Sequence, residues 1–145
     1  MEDSKTTIKD LLDGQVIAIR KKDIAAAAAN YAADVRIFDV VGPLQHKEGA
    51  PAVKHRLEQW FSGFKDGEDV GFEIVDLDIT CDGNIGFSRG LNHIHAPLKN
   101  GGSLDMYWRE TLNWKKQGDR WQIVHAHSSV PFDVNTGQGS TGLKP

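Results

Sequence analysis

The sequence predicts one α+β domain in which three N-terminal helices pack against a strongly curved antiparallel sheet. Apolar residues recur at helical spacing in the first part of the chain and alternate with period two over most of the second part. Asp82-Gly83 and Asn100-Gly101 supply turn signals between the alternating segments. Helices followed by an antiparallel meander indicate a helical layer on one face of a sheet. A curved sheet with helices across its concave side encloses a cavity.

The helical segments come first in the chain. Apolar spacing predicts a helix over about residues 5–21, with Gln15 on its apolar stripe. Asp23 is suited to cap a second, alanine-rich helix that runs to about Tyr31. Pro51 suits the first turn of a third helix. The apolar stripe of that helix consists of Val53, Leu57, Trp60, Phe61 and Phe64.

The strands follow, after a short β-rich stretch at residues 35–39. Alternation changes phase between Ile74 and Val75, which is what a β-bulge produces. The next strand places on one face Ile85, Phe87, Arg89, Leu91, His93 and His95. The strand after it places on one face Leu104, Met106, Trp108, Glu110, Leu112 and Trp114. A last strand covers about residues 120–130.

Length and composition limit the classes of function. The chain has 145 residues, near the usual size of one domain, and we assign residues 1–134 to it. The Gly-rich segment 135–145 is expected to be a mobile tail. A net charge of −3 without a basic stripe disfavours nucleic-acid and anionic-membrane partners. A single cysteine, Cys81, fits a reducing compartment. With no signal-peptide or membrane-span pattern, we expect a cytoplasmic protein.

Two charged residues, Arg89 and Glu110, interrupt otherwise apolar strand faces. A two-residue turn at Asn100-Gly101 would place Leu91 opposite Glu110, with Arg89 diagonally adjacent. Because a buried charge requires a partner, three interpretations stay open. The two residues form a structural ion pair, they line a polar spot that contacts a ligand, or the register differs and both lie in solvent.

The remaining candidate residues are a carboxylate and two histidine pairs. Asp39 ends a strand just before a turn, where an aspartate is either a turn residue or a functional carboxylate. His-x-His occurs at residues 93–95 and 125–127, a pattern that can bind zinc. No cysteine or carboxylate lies at ligand spacing, so we expect hydrogen-bonded sheet histidines and no metal. No phosphate loop, catalytic triad or cysteine nucleophile pattern appears, and no cofactor is expected.

Two stretches of the chain resemble known families. The motif DI…NYAAD…FDVVG at residues 23–42 resembles the ketosteroid isomerases. The runs WRET at 108–111 and GDRWQIVHAHSSVPFD at 118–133 resemble the SnoaL-like branch of the same superfamily, and are similar to the association domain of calcium/calmodulin-dependent kinases. The resemblance covers about residues 5–134. It implies the cone-shaped fold of the nuclear transport factor two type and a homodimer that pairs through the convex faces of its sheets.

The resemblance also implies three catalytic roles. The family's general base falls on Asp39, its oxyanion-hole carboxylic acid on Glu110, and its oxyanion-hole tyrosine on Gln15. In ketosteroid isomerase an apolar site keeps the oxyanion-hole carboxyl neutral. This sequence departs from that pattern, because the Gln15 amide is far less acidic than a phenol. A guanidinium at Arg89 beside Glu110 would also favour the ionised carboxylate, which cannot donate a hydrogen bond.

Two functions of different classes follow. The first is a cofactor-independent acid–base enzyme, an isomerase, cyclase or hydratase/hydrolase, that acts next to the carbonyl of a small apolar molecule with Asp39 as base. The second is a non-catalytic binding or dimerisation module in which Arg89 holds an anionic, carboxylate-bearing ligand. We expect Gln15, Asp39, Trp60, Arg89 and Glu110 to converge on one cavity. The predicted ligand-binding residues are Trp60, Phe87, Arg89, His93, Trp108 and Ser128.

Overall fold

The protein is described by a computed structural model that covers residues 3–145. Within those residues, two helices precede the first strand and a third lies between the first and second strands. Five strands form one sheet. The helices are α1 (Ser4–Arg20), α2 (Ile24–Ala27) and α3 (Ala50–Phe61). The strands are β1 (Tyr31–Phe38), β2 (Gly71–Asp82), β3 (Ile85–Pro97), β4 (Ser103–Gln117) and β5 (Arg120–Ser129).

The sheet has the strand order β1-β5-β4-β3-β2. The strands β2 to β5 form the predicted antiparallel meander. The edge strand β1 departs from it, because β1 pairs with β5 in parallel. No hairpin links these two strands, so no local turn sets their relative direction.

The helices begin as the sequence indicates. The Asp23 side chain accepts a hydrogen bond from the backbone N–H of Ala26 at 3.1 Å, which is the predicted N-cap of α2. Helix α2 ends earlier than expected, since β1 already starts at Tyr31. Pro51 lies in the first turn of α3, as predicted.

The phase switch in β2 is a β-bulge, as predicted. Its pairing with β3 shifts register between Val75 and Asp78. Asp76 has a φ of 55°, a left-handed conformation that few non-glycine residues adopt. The bulge lets Phe72 and Ile79, at opposite ends of the strand, both point into the core.

The register of β3 with β4 differs from the predicted one by one residue. The connecting loop covers residues 98–102 instead of two residues, and Pro97 pairs with Ser103. Gly90, rather than Leu91, therefore lies opposite Glu110. A shift of one residue moves every side chain of a strand to the other face. The predicted pairing of Arg89 with Glu110 is wrong for this reason.

We call the side of the sheet that packs against the helices the inner face and the opposite side the outer face. The inner face of β3 carries the fully buried Ile94 and five residues that are small or polar: Gly86, Ser88, Gly90, Asn92 and Ala96. Their small size makes room for the core. Ser88 accepts a hydrogen bond from the indole N–H of the fully buried Trp114 at 3.0 Å. A Cβ at Gly90 would come within 2.8 Å of the Ile74 side chain. Apolar alternation in β3 therefore marks its outer face.

Candidate functional site

A cavity of about 690 Å³ opens between the helices and the inner face of the sheet. Most of its lining is apolar, from α1, α3 and the strands. Six of the residues selected from the sequence line this cavity together: Gln15, Asp39, Trp60, Trp108, Glu110 and Ser128. Four of the five residues that we expected to converge thus do so, and Arg89 is the exception.

Three predicted site residues lie on the outer face, outside the cavity. The Arg89 side chain is 68% exposed and forms an ion pair with Asp78 at 3.3 Å. Phe87 is 43% exposed. His93 stacks on Tyr107 with ring centroids 4.0 Å apart. The predictions that these three residues contact a ligand in the cavity are wrong, because they rested on the shifted β3–β4 register.

Each ring nitrogen of His93 also has an acidic partner on the outer face. Glu73 lies 3.1 Å from Nδ1, and Asp105 lies 2.8 Å from Nε2. His93, and His125 with its Nδ1 at 2.8 Å from the Arg36 carbonyl oxygen, are thus hydrogen-bonded sheet histidines of the kind expected for the His-x-His pairs. Within residues 3–145, no group of three or more His, Cys, Asp or Glu side chains is arranged to hold a metal ion.

Glu110 of β4 places an ionisable carboxyl group in the wall of the cavity. Its two carboxylate oxygens accept one hydrogen bond each, from the Asn92 side-chain amide and from the Ser128 hydroxyl, both at 3.0 Å. Burial raises the pKa of the Glu110 carboxyl, and these two hydrogen bonds and the nearby Arg56 charge oppose that rise only in part. A carboxyl group with a raised pKa is more easily protonated than an exposed one. Glu110 is therefore suited to exchange a proton with a bound molecule.

Asp39 lies at the mouth of the cavity and forms an ion pair with Arg56 of α3. The Asp39 side chain is 11% exposed and the Arg56 side chain 25%, so the pair is largely shielded from solvent. A guanidinium beside a carboxylate makes it a weaker base. Arg56 was not among the site residues predicted from the sequence. Its signal was position, since it lies three residues after Val53 and four before Trp60 on the apolar stripe of α3.

A chain of side-chain hydrogen bonds leads from α1 to the cavity wall. The Asn30 amide donates to the Leu11 carbonyl and to Gln15 Oε1, both at 3.0 Å. Gln15 Nε2 in turn contacts the Tyr31 hydroxyl at 3.5 Å. Tyr31 was missed because it was assigned to the end of α2. Burial, followed by the Glu110 charge, raises the pKa of the Tyr31 phenol, so its hydroxyl stays protonated.

Aromatic side chains close the apolar end of the cavity. Trp60 of α3 and Trp108 of β4 meet edge to face, with ring centroids 5.9 Å apart and an interplanar angle of 84°. Phe72 packs against Trp108, with ring centroids 6.1 Å apart. Trp60 and Trp108, two of the predicted ligand-binding residues, thus form the apolar wall of the cavity.

The C-terminal segment folds back toward the cavity mouth. The backbone N–H of Ser140 donates to the Pro131 carbonyl at 2.8 Å, and Phe132 forms an isolated bridge with Gly139. Gly139 and Thr141 line the cavity. Residues of the predicted tail therefore form part of the pocket wall.

Comparison with known proteins agrees with this architecture. The family model for the SnoaL-like domain matches residues 8–133. A structure of a nuclear transport factor two-like protein of unknown function from Pseudomonas putida KT2440 is 29% identical, with a TM-score of 0.83 over 97% of this chain and 95% of that one.

Two more distant structures share the fold. A Xanthomonas campestris protein provisionally described as a calcium/calmodulin-dependent protein kinase II association domain is 19% identical, with a TM-score of 0.74 and coverage of 92% and 91%. A ketosteroid isomerase-like protein from Erwinia carotovora atroseptica is 18% identical, with a TM-score of 0.71 and coverage of 89% and 97%.

A comparison with curated proteins gives no significant match. Across residues 3–145, no helix has both the length and the apolar character needed to cross a membrane. Because the family model spans residues 8–133, most of the sequence, this chain belongs to the SnoaL-like domain family.

Proposed function

We propose that the cavity binds a small, largely apolar organic molecule and that the protein catalyses proton transfer next to a carbonyl group of that molecule. The observation that carries this proposal is the ionisable Glu110 carboxyl inside a mostly apolar cavity of about 690 Å³. A general base works best when its pKa lies near the operating pH, and burial moves the pKa of Glu110 in that direction.

Two carboxylates compete for the role of base. The family resemblance assigns that role to Asp39. The ion pair with Arg56 favours Glu110 instead, because a paired carboxylate gains less from taking up a proton than one whose pKa burial has raised. In the proposed step the Glu110 carboxylate takes a proton from the carbon next to the carbonyl. The electron pair of that C–H bond forms a C=C bond to the carbonyl carbon, and the π electrons of the C=O bond move to the oxygen, which gives an enolate and a protonated Glu110.

Hydrogen exchange of a model ketone tests this step. The protein is incubated with 3-cyclohexenone in D2O, and deuterium entry next to the carbonyl is followed by proton NMR. Wild type should accelerate exchange over buffer. Glu110→Gln should lower the protein-dependent rate by about 10²–10⁴-fold, the usual contribution of a general base. Glu58→Gln, at an exposed position on α3, is the matched control and should exchange as wild type.

Each other outcome has a defined meaning. Loss of exchange in Asp39→Asn with retention in Glu110→Gln would assign the base to Asp39. Exchange no faster than buffer for wild type would contradict the enzymatic proposal and favour the non-catalytic binding module. That module would need a different anion-binding residue from the one predicted, because Arg89 lies on the outer face.

We also propose that the chain forms a homodimer through its outer face, as the family resemblance implies. Support comes from the aromatic side chains that this face exposes, since Phe38 is 37% and Phe87 43% accessible. Sedimentation equilibrium should give a dimer for wild type and a monomer for Phe87→Asp. Phe132→Asp, in the C-terminal segment, should stay dimeric. A monomeric wild type would refute the proposal.

A further inference from the structure

The hydrogen-bond chain that ends at Tyr31 has a fixed direction. The Asn30 amide nitrogen donates to the Leu11 carbonyl, so its amide group cannot be reversed without losing that bond. The same nitrogen donates to Gln15 Oε1, which makes that atom the acceptor of the Gln15 amide. Gln15 therefore presents its Nε2 donor to the Tyr31 oxygen. Tyr31 accepts from this side, and its own hydrogen must be directed elsewhere.

The Tyr31 hydrogen has no acceptor among the side chains and backbone groups of residues 3–145. Tyr31 lines the cavity, close enough to Glu110 that the charge of the Glu110 carboxylate helps to raise the pKa of the Tyr31 phenol. A hydroxyl donor directed into an apolar cavity without a partner is costly unless a bound molecule accepts its hydrogen. The cavity thus offers one free phenolic donor next to the carboxyl group that we assign to proton transfer.

The charges around the cavity favour a neutral ligand. Among residues 3–145, the one guanidinium in the cavity lining is that of Arg56, and Asp39 already neutralises it. The remaining ionisable carboxyl, Glu110, would repel an anion whenever it is ionised. A ligand carboxylate would have to displace Asp39 from Arg56, which would leave a largely buried carboxylate without its partner.

We propose that Tyr31 donates the hydrogen bond that holds the ligand's carbonyl oxygen, and that the ligand is a neutral ketone or aldehyde with an apolar body. This inference rests on the proposed function, in which Glu110 takes a proton next to that carbonyl. Tyr31 then supplies the phenolic donor for the enolate oxygen, a role for which the Gln15 amide is too weak an acid. Gln15 and Asn30 are positioning residues that set the direction of the Tyr31 hydroxyl.

Binding of three probes of nearly equal shape tests the proposal. The probes are methyl 2-naphthyl ketone, 2-isopropenylnaphthalene, which lacks the oxygen, and 2-naphthoate, which is anionic. Wild type should bind the ketone about tenfold more tightly than the hydrocarbon, equivalent to about 1.4 kcal/mol. The naphthoate should bind more weakly than the ketone. Tyr31→Phe should remove the preference for the ketone and leave hydrocarbon affinity unchanged.

Two further variants separate hydrogen bonding from structure. Gln15→Glu replaces the donor toward Tyr31 with an acceptor, which would capture the Tyr31 hydrogen and lower ketone affinity as Tyr31→Phe does. Tyr107→Phe changes the other tyrosine of the chain, which stacks on His93 on the outer face, and should bind as wild type. The infrared C=O stretch of the bound ketone should shift to lower frequency in wild type and return in Tyr31→Phe.

The outcomes distinguish this inference from the proposed function. Equal loss of ketone and hydrocarbon affinity in Tyr31→Phe, or an unshifted C=O stretch in wild type, would overturn the role of Tyr31 while leaving proton transfer by Glu110 intact. Tightest binding of the naphthoate would overturn the neutral-ligand assignment. No binding of any probe to wild type would contradict the pocket itself, and both proposals with it.

Discussion

Replacing Glu110 with glutamine isolates the energetic effect of its charge. The variant has nearly the same shape, and it can keep both hydrogen bonds. The glutamine oxygen can accept from the Asn92 amide, and its NH2 group can donate to the Ser128 hydroxyl, which is able to accept as well as donate. Only the charge and the ability to titrate are lost.

The pH dependence follows from the direction of the pKa shift. Burial raises the pKa of Glu110 in the folded state, so the folded protein holds this proton more tightly than the unfolded chain. The contribution of Glu110 to stability is therefore fully present below the ordinary glutamate pKa of about 4.3 and is lost as the pH rises through the folded value. Each unit by which the folded pKa is raised destabilises the protein by about 1.4 kcal/mol at high pH.

Glu110→Gln does not undergo this loss. We expect the variant to gain stability relative to wild type as the pH increases from 4 to 8. A part of that gain is offset because two hydrogen bonds to a charged acceptor, worth roughly 1.5–3 kcal/mol each, become neutral ones worth roughly 0.5–1.5 kcal/mol. The offset does not depend on pH above the folded pKa, so the pH trend itself reports the titration of Glu110.

Urea unfolding at pH 4, 6 and 8 measures the difference in free energy of unfolding between variant and wild type. Thermal melts provide a second readout, in which 1 kcal/mol corresponds to about 4 °C for a chain of this size. Glu58→Gln, on the exposed side of α3, should show no such trend. A difference between Glu110→Gln and wild type that stays constant from pH 4 to pH 8, or that falls with pH, would refute the raised pKa of Glu110.

Three further substitutions test the fold around the site, each by urea unfolding. Arg89→Met removes an exposed ion pair on the outer face and should lower the free energy of unfolding by less than about 1 kcal/mol at every pH. A loss of about 3 kcal/mol would mean that Arg89 is buried. Gly49→Ala should destabilise by about 1–3 kcal/mol or more, since Gly49 has a φ of 77° and a Cβ there would overlap the Ala33 carbonyl oxygen. Trp114→Ala should cost about 3–5 kcal/mol, because Trp114 is fully buried and donates to Ser88, and a smaller loss would indicate that the core refills the space.

Several site residues could be predicted from the sequence because local patterns fix which way they point. Helical spacing placed Gln15 on the buried stripe of α1, and alternation along β4 placed Glu110 on the same face as Trp108. Asp39 followed from its position at the end of a strand before a turn, together with the family resemblance. These positions depend on the period of one element, which the sequence displays directly.

The β3 predictions failed for a specific physical reason. Apart from the buried Ile94, strand β3 carries its larger apolar residues on the outer face and small or polar residues on the inner face, since Trp114 and α1 occupy the core beside it. An alternating pattern shows that two faces differ, and by itself it does not show which of them is buried. The length of the loop between β3 and β4 sets their register, and the register decides which face of β3 is buried. The turn signal at Asn100-Gly101 predicted a two-residue loop, whereas the loop covers residues 98–102.

By itself, the sequence determined the α+β class, the N-cap of α2, the proline in the first turn of α3, the bulge in β2 and the family, because each depends on residues close together in the chain. Tertiary structure alone decided the chemistry of the cavity. The Asp39–Arg56 ion pair joins the end of β1 to α3, the Glu110 hydrogen bonds join three strands, and the direction of the Tyr31 hydroxyl depends on amides from α1 and the loop before β1. These contacts set which groups are charged or free to donate, and they form only when separate elements pack together.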